Sequence, residues 1–267
     1  MADSTPKPRR NVRVVKVVKN ERITPNMVRL TLTAPGLADV PQGCEGANCK
    51  IMLPDDGVSE AAFEAQLASG PRPTTRTYTV RHARPEKQEV DVDFVVHDAP
   101  GPAANFALTA EVGDFCGFAG PSANKIEDFY ADWYLVAADM SALPVASATL
   151  EAMPRDATGI AIFEVLSEDD KQVIDAPAGI EQHWFVHADP HTRSGEQERI
   201  IRSLTWPDGV IQTCIAGESG VIKALREFLH VEKQIPRTDT YISGYWKIGL
   251  KEDEHQAMKR AEATATT

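Results

Sequence analysis

Asp128-Phe129-Tyr130-Ala131-Asp132-Trp133-Tyr134-Leu135-Val136-Ala137-Ala138 is the stretch at which the chain changes character. Before it, short β-type runs are parted by Gly, Pro and Asn. From Trp133 onward, continuous apolar runs alternate with segments of helical spacing. Residues 133–138 read as a strand, 143–153 as a helix ending before Pro154, and 159–166 as a second strand. The rhythm continues with a strand over 184–188, a helix over 196–204, a strand over 210–216, a helix over 219–230 and a strand over 240–243. That order predicts a parallel sheet covered by helices, with ligands beyond the carboxyl ends of its strands. Residues 251–263, rich in Glu, Lys and Ala, predict a terminal helix.

Upstream, residues 12–18 and 27–33 are β-type runs separated by Thr24-Pro25-Asn26, as in an antiparallel pair. Runs at 50–53, 76–80 and 90–96 extend the series, the last with Val90, Val92, Phe94 and Val96 on one face. Residues 57–73 form an insertion with a short helix over 60–67. Gly113-Asp114 and Gly120-Pro121 mark turns at the end of this half. The expected fold is therefore β + α/β, an N-terminal antiparallel β-barrel over 1–128 followed by an α/β domain over 129–267.

With 267 residues the chain can fill two cores, and its net charge of −11 disfavours nucleic acid and anionic lipid as partners. No apolar run is long enough to span a bilayer, and the first residues lack an apolar signal region. The expectation is a soluble, cytoplasmic monomer. Cys44, Cys49, Cys116 and Cys214 lack zinc or iron–sulfur spacing and read as buried or idle thiols. His183, His187 and His191 recur every four residues, but Trp184-Phe185-Val186 reads as a strand and Pro190 interrupts any helix, so no metal site is expected.

Arg76-Thr77-Tyr78-Thr79-Val80-Arg81 carries the most chemistry. Strand alternation sends Arg76, Tyr78 and Val80 to one side and Thr77, Thr79 and Arg81 to the other. Arg76 can neutralise a pyrophosphate, Tyr78 can stack on a flavin or ribose, and the Thr79 hydroxyl can approach a flavin edge. An ordinary amphipathic strand reads the same way. Further on, Val96-His97 ends a strand, and Asp98-Ala99-Pro100-Gly101-Pro102-Ala103 delivers the chain into a helix. A helix start offers oriented N–H groups and a dipole that suit the pyrophosphate of FAD without a GxGxxG loop, which the chain lacks. His97 is a flavin ligand candidate or a structural cap.

These residues resemble the siderophore-interacting protein family, the FAD-dependent ferric-siderophore reductases related to the ferredoxin–NADP reductase superfamily. The likeness runs through Arg76-x-Tyr78-Thr79-x-Arg81, His97 with Gly101-Pro102-Ala103, Ala131-Asp132-Trp133-Tyr134-Leu135, Asp139-Met140-Ser141-Ala142-Leu143-Pro144, Ala216-Gly217-Glu218 and Gly244-Tyr245-Trp246-Lys247-x-Gly249. It implies FAD lined by Arg76, Thr77, Tyr78, Thr79, Arg81, Val96, His97, Gly101, Pro102 and Ala103, with Asp139, Ser141, Ala142, Tyr245 and Trp246 from the second domain. It implies NADH or NADPH as reductant and a ferric siderophore as substrate, with no protein acid or nucleophile at work. Tyr245 and Trp246 are read as an aromatic pair just after the last strand, shielding the flavin or closing the sheet, and 217–220 as a turn on the nicotinamide side. Ferric catecholates are anionic, so Lys50, Lys247 and Lys251 are candidate substrate contacts, each equally readable as a solvated lysine. Two other functions compete: a flavin- or ferredoxin-linked reductase serving a protein partner, and a non-enzymatic siderophore carrier.

Overall fold

Val90, Val92 and Phe94 alternate into the barrel core as their spacing requires, and that core fixes the first half of the fold. The structure is a computed structural model that describes residues 12–97, 100–123, 126, 128–250, 254–255 and 258. The chain divides into two units, Met1–Ile23 with Met27–Asn124, and Thr24–Asn26 with Lys125–Thr267.

In the first unit, β1 (Val12–Thr24), β2 (Met27–Thr33), β3 (Asn48–Leu53), β4 (Thr74–Arg84), β5 (Glu89–Val95) and β6 (Phe115–Ala119) close a barrel in the order β1-β2-β5-β4-β3-β6. The sequence reading stops at turns on either side of β6 and misses the strand. Yet β6 pairs antiparallel with both β1 and β3, and so closes the ring. Its Gly117 answers a packing demand: an added Cβ would lie 2.9 Å from Met52 Cβ and 3.2 Å from Leu67. Leu67 belongs to α1 (Glu60–Ser69), whose N-cap Ser59 accepts the Ala62 N–H. Phe63 and Leu67, one helical turn apart, are buried against Met52, and each such burial is worth about 1.5–3 kcal/mol.

Beyond Val80, β4 is clamped to β5 by charge. Asp91, 5 % exposed, accepts from both Arg84 guanidinium nitrogens (2.8 and 2.7 Å) and from Thr31 Oγ1 (2.8 Å), and His82 Nδ1 stands 2.9 Å away. Burial alone would raise this carboxyl, but the bonds from Arg84, His82 and Thr31 together hold it far below the usual carboxylate range.

The second unit is a parallel sheet of β7 (Trp133–Ala138), β8 (Thr158–Val165), β9 (Gly179–Val186), β10 (Ile211–Glu218) and β11 (Thr240–Trp246), in the order β11-β10-β7-β8-β9. Chain order reverses at β7, so the ligand crevice of such a sheet lies at the carboxyl end of β7. Between strands run α2 of the barrel (Pro102–Thr109), then α3 (Leu143–Ala152), α4 (Glu196–Ser203) and α5 (Ser219–Glu227). Residues 143–150 of α3 are all buried, which explains why the sequence there is apolar or small on every side. Several boundaries differ from the sequence reading. β9 begins earlier, because Gly179 and Ile180 pair with Thr158 and Gly159. Tyr245 and Trp246 end β11 instead of following it. Residues 217–220 form no separate turn, since β10 runs to Glu218 and α5 starts at Ser219. Of the C-terminal segment, Glu254, His255 and Met258 are helical.

Candidate functional site

Arg76 pairs with Ile51 of β3 in the barrel unit. In β4, Tyr78 and Arg76 pair with Cys49 and Ile51, which lie in the barrel core, so both residues start on the core face. The half-buried Tyr78 ring packs on Phe94 of β5, with centroids 4.3 Å apart. The Tyr78–Phe94 contact continues the antiparallel register of the Val80–Val92 pair, and Val96, just past β5, is buried. His97 follows, exposed. On the outer face Thr77 pairs with Lys50, whose Nζ donates to the Thr77 hydroxyl. Thr79 is buried. The simple alternation that groups Arg81 with Thr77 and Thr79 ends at a bulge. Register slips between Val80 and His82, leaving Arg81 as the extra residue, 6 % exposed.

The helix start is open. Gly101, the N-cap of α2, has φ −70° and ψ 173° and no side chain to cap the helix, and an added Cβ would meet nothing within 4 Å. Pro102 at the first position contributes no N–H. The first intrahelical bond is Asn105 N–H to Gly101 O at 2.9 Å, so the N–H groups of Ala103 and Ala104 precede it and point along the dipole toward that opening. A cation on β4, an aromatic ring, hydroxyls and an uncapped helix N-terminus are a donor set suited to a dinucleotide's pyrophosphate and ring.

In the second unit, Asp139 follows β7 and is buried. Its Oδ1 accepts the Ser141 N–H (2.9 Å) and hydroxyl (2.6 Å), its Oδ2 accepts Trp246 Nε1–H (2.7 Å), and its carbonyl accepts the Ala142 and Leu143 N–H groups. Burial raises the Asp139 carboxyl despite the bonds from Ser141 and Trp246. Sequence reasoning missed Glu164, next to the last residue of β8, where burial and then the nearby Asp139 and Glu218 carboxylates raise its carboxyl against the bond from Ser194. Glu218 is occupied as the cap of α5, accepting from Gly220 N–H (2.6 Å) and Val221 N–H (3.0 Å). Tyr245 OH and Tyr241 OH are 2.9 Å apart, and burial pushes the Tyr241 phenol up to about 12. Lys247 Nζ donates to Met258 Sδ at 3.2 Å, and Lys251 lies outside the described residues. Lys50 and Lys247 belong to different units.

Comparison with known proteins follows the same division. The description "Siderophore-interacting FAD-binding domain" matches residues 16–125, and "Siderophore-interacting protein" matches residues 131–249. The chain is 32% identical to the ferric vibriobactin reductase ViuB of Vibrio cholerae over 91% of this chain and 92% of that one. It is 28% identical to a ferric acinetobactin reductase of Acinetobacter baumannii, over 70% and 66%. Among solved structures, the siderophore-interacting protein SipS from Aeromonas hydrophila superposes with a TM-score of 0.83 at 31% identity, covering 95% of this chain and 98% of that one. A Plasmodium falciparum ferredoxin–NADP+ reductase shares the fold at 13% identity and a TM-score of 0.61, covering 89% and 96%.

Proposed function

We propose the function from one premise: the chain belongs to the siderophore-interacting protein family. Its activity is reduction of Fe(III) held by a siderophore, releasing Fe(II) in the cytoplasm, with NADH or NADPH as electron donor. What supports this reading is the barrel strand that carries Arg76 and Tyr78, with Tyr78 packed on Phe94, together with the uncapped start of α2, whose Ala103 and Ala104 belong to the same barrel core. FAD, when bound, would supply the conversion of a nicotinamide electron pair into single electrons for ferric iron, which oxygen ligands hold far better than ferrous iron.

The chain's own residues bind and orient. Arg76 would neutralise the FAD pyrophosphate and the Ala103 and Ala104 N–H groups would donate to it, Tyr78 would stack, and Thr77, Thr79, Arg81, Val96, His97, Gly101 and Pro102 would line the cofactor. Asp139, Ser141, Ala142, Tyr245 and Trp246 serve the carboxyl ends of β7 and β11, where a nicotinamide donor binds in a sheet of this order. No protein acid or nucleophile is needed. Lys50, Lys247 and Lys251 attract an anionic chelate to a chain that is acidic as a whole. Among the described residues no helix is long and apolar enough to cross a membrane.

The test is serial anaerobic addition of NADH, NADPH and reduced ferredoxin to the purified protein, each followed by a ferric chelate. The reading expects a yellow FAD spectrum that bleaches with a pyridine nucleotide and recovers with the chelate. Bleaching by ferredoxin alone would reassign the donor, and a colourless protein that binds the chelate would make it a carrier.

A further inference from the structure

The ends of β7 and β11 are joined across the strand between them. Asp139 and Trp246 stand on either side of β10, so the Asp139 carboxylate and the Trp246 indole meet over a span of about two strand spacings, roughly 9–10 Å. Gly217 of β10 makes that meeting possible. A Cβ there would lie 2.6 Å from Asp139 Oδ2, and φ +151° is a conformation that side-chain-bearing residues avoid. The register between β10 and β11 slips at the same point: Gly217 pairs with Gly244, but Glu218 pairs with Trp246, skipping Tyr245. The slip, the glycine and the carboxylate together fix one place for the half-buried indole. Neither partner is spare, because Asp139 Oδ1 is engaged by Ser141 and the indole has a single N–H.

We infer that Asp139 is a positioning residue that holds the Trp246 indole, over Gly217, across the carboxyl ends of β10 and β11, and that a nicotinamide donor must break this hydrogen bond to bind. The inference rests on the donor site proposed above. Releasing the tether removes a cost from donor binding. In Asp139→Ala the KM for the donor falls roughly tenfold, the scale of one hydrogen bond to a charged group.

The test uses FAD-loaded full-length protein labelled with 15N-tryptophan, with the Trp246 indole resonance assigned from Trp246→Phe. Three variants, Asp139→Ala, Asp139→Asn and Gly217→Ala, should each shift that resonance without nucleotide, and NAD+ should shift it in the wild type. Asp139→Asn keeps the side-chain shape, so it reports even where Asp139→Ala folds poorly. Donor KM is then read in a cycle of Asp139→Ala, Trp246→Phe and the double variant. The inference expects the double variant to match Trp246→Phe, since one bond is removed either way; a residue that merely braces the Ser141 turn would give additive effects. An unmoved indole resonance in Asp139→Asn and Asp139→Ala overturns the inference. So does a donor KM lowered by Trp246→Phe but not by either Asp139 variant. If Trp246→Phe itself leaves the donor KM unchanged, the proposed donor site is wrong at Trp246, and the positioning role falls with it.

Discussion

Replacing Gly101 by Asp should stabilise the protein and weaken its hold on FAD, two effects of opposite sign from one side chain. Gly101 already has the extended backbone of an N-cap, and a Cβ there enters open space. An Asp would therefore accept from the first-turn N–H groups at no steric cost. Capping by Asp in place of Gly contributes a few tenths of a kcal/mol, and its charge beside the helix dipole a similar amount, so about 0.5–1 kcal/mol in the flavin-free protein. With FAD the same carboxylate occupies the donors that the pyrophosphate needs. A unit charge about 5 Å from a phosphate, at an effective dielectric of about 20, repels it by roughly 3 kcal/mol, or about 100-fold in Kd. Asn at the same position caps without the charge and should show only the competition for donors. Thermal melting of the flavin-free protein and fluorescence titration with FAD measure the two effects separately, and added salt should narrow the gap between Asp and Asn. A Gly101→Asp protein that melts higher yet binds FAD within about twofold of the wild type would refute the placement of the pyrophosphate at α2.

Asp91→Asn should cost about 2 kcal/mol at neutral pH, less than a fully buried pair because Arg84 keeps some contact with solvent. The folded Asp91 carboxyl lies below its unfolded value near 3.9, so its contribution is present above about pH 4 and is lost as pH falls through the folded value. Urea unfolding should therefore show wild type and Asp91→Asn converging below pH 4; a constant difference down to pH 2 would contradict the clamp. All four cysteines are buried, and burial pushes Cys44 and Cys214 up to about 11 and Cys116 to about 12. A thiol reagent at pH 8 should label none of them in the native protein within minutes and all of them after unfolding. Lys50→Glu should raise the half-saturating concentration of an anionic ferric catecholate and leave that of a neutral ferric hydroxamate unchanged; equal kinetics with both would remove Lys50 from the substrate path.

Elements whose burial follows a local period were legible in the sequence. β5 is an alternating run because one face fills the barrel, and β7 is continuously apolar because a parallel strand is covered on both faces. β6 was not legible: it is short and centred on Gly117, and the reason for that glycine, the approach of Met52 and Leu67, is a tertiary fact. The same holds at the site. Arg76 and Tyr78 announce themselves by residue type, whereas the bulge that displaces Arg81 leaves no local trace. Trp246 stands out in the sequence as half of an aromatic pair, but its bond to Asp139 spans 107 residues and depends on Gly217 lying between them. Lys50 reads in the sequence as a substrate contact or a solvated lysine, and only the β3–β4 register shows its bond to Thr77.

The most direct measurement of the whole account is a single-turnover reaction with no enzymatic donor present. Protein-bound FAD is reduced stoichiometrically by dithionite under argon, mixed with a ferric catecholate in stopped flow, and followed at once by the flavin absorbance and by a ferrous-specific chelator. The account requires the yellow spectrum to return as Fe(II) appears, with two ferrous ions for each flavin reoxidised. Reduced flavin that persists beside the ferric chelate, with no Fe(II) formed, would contradict it.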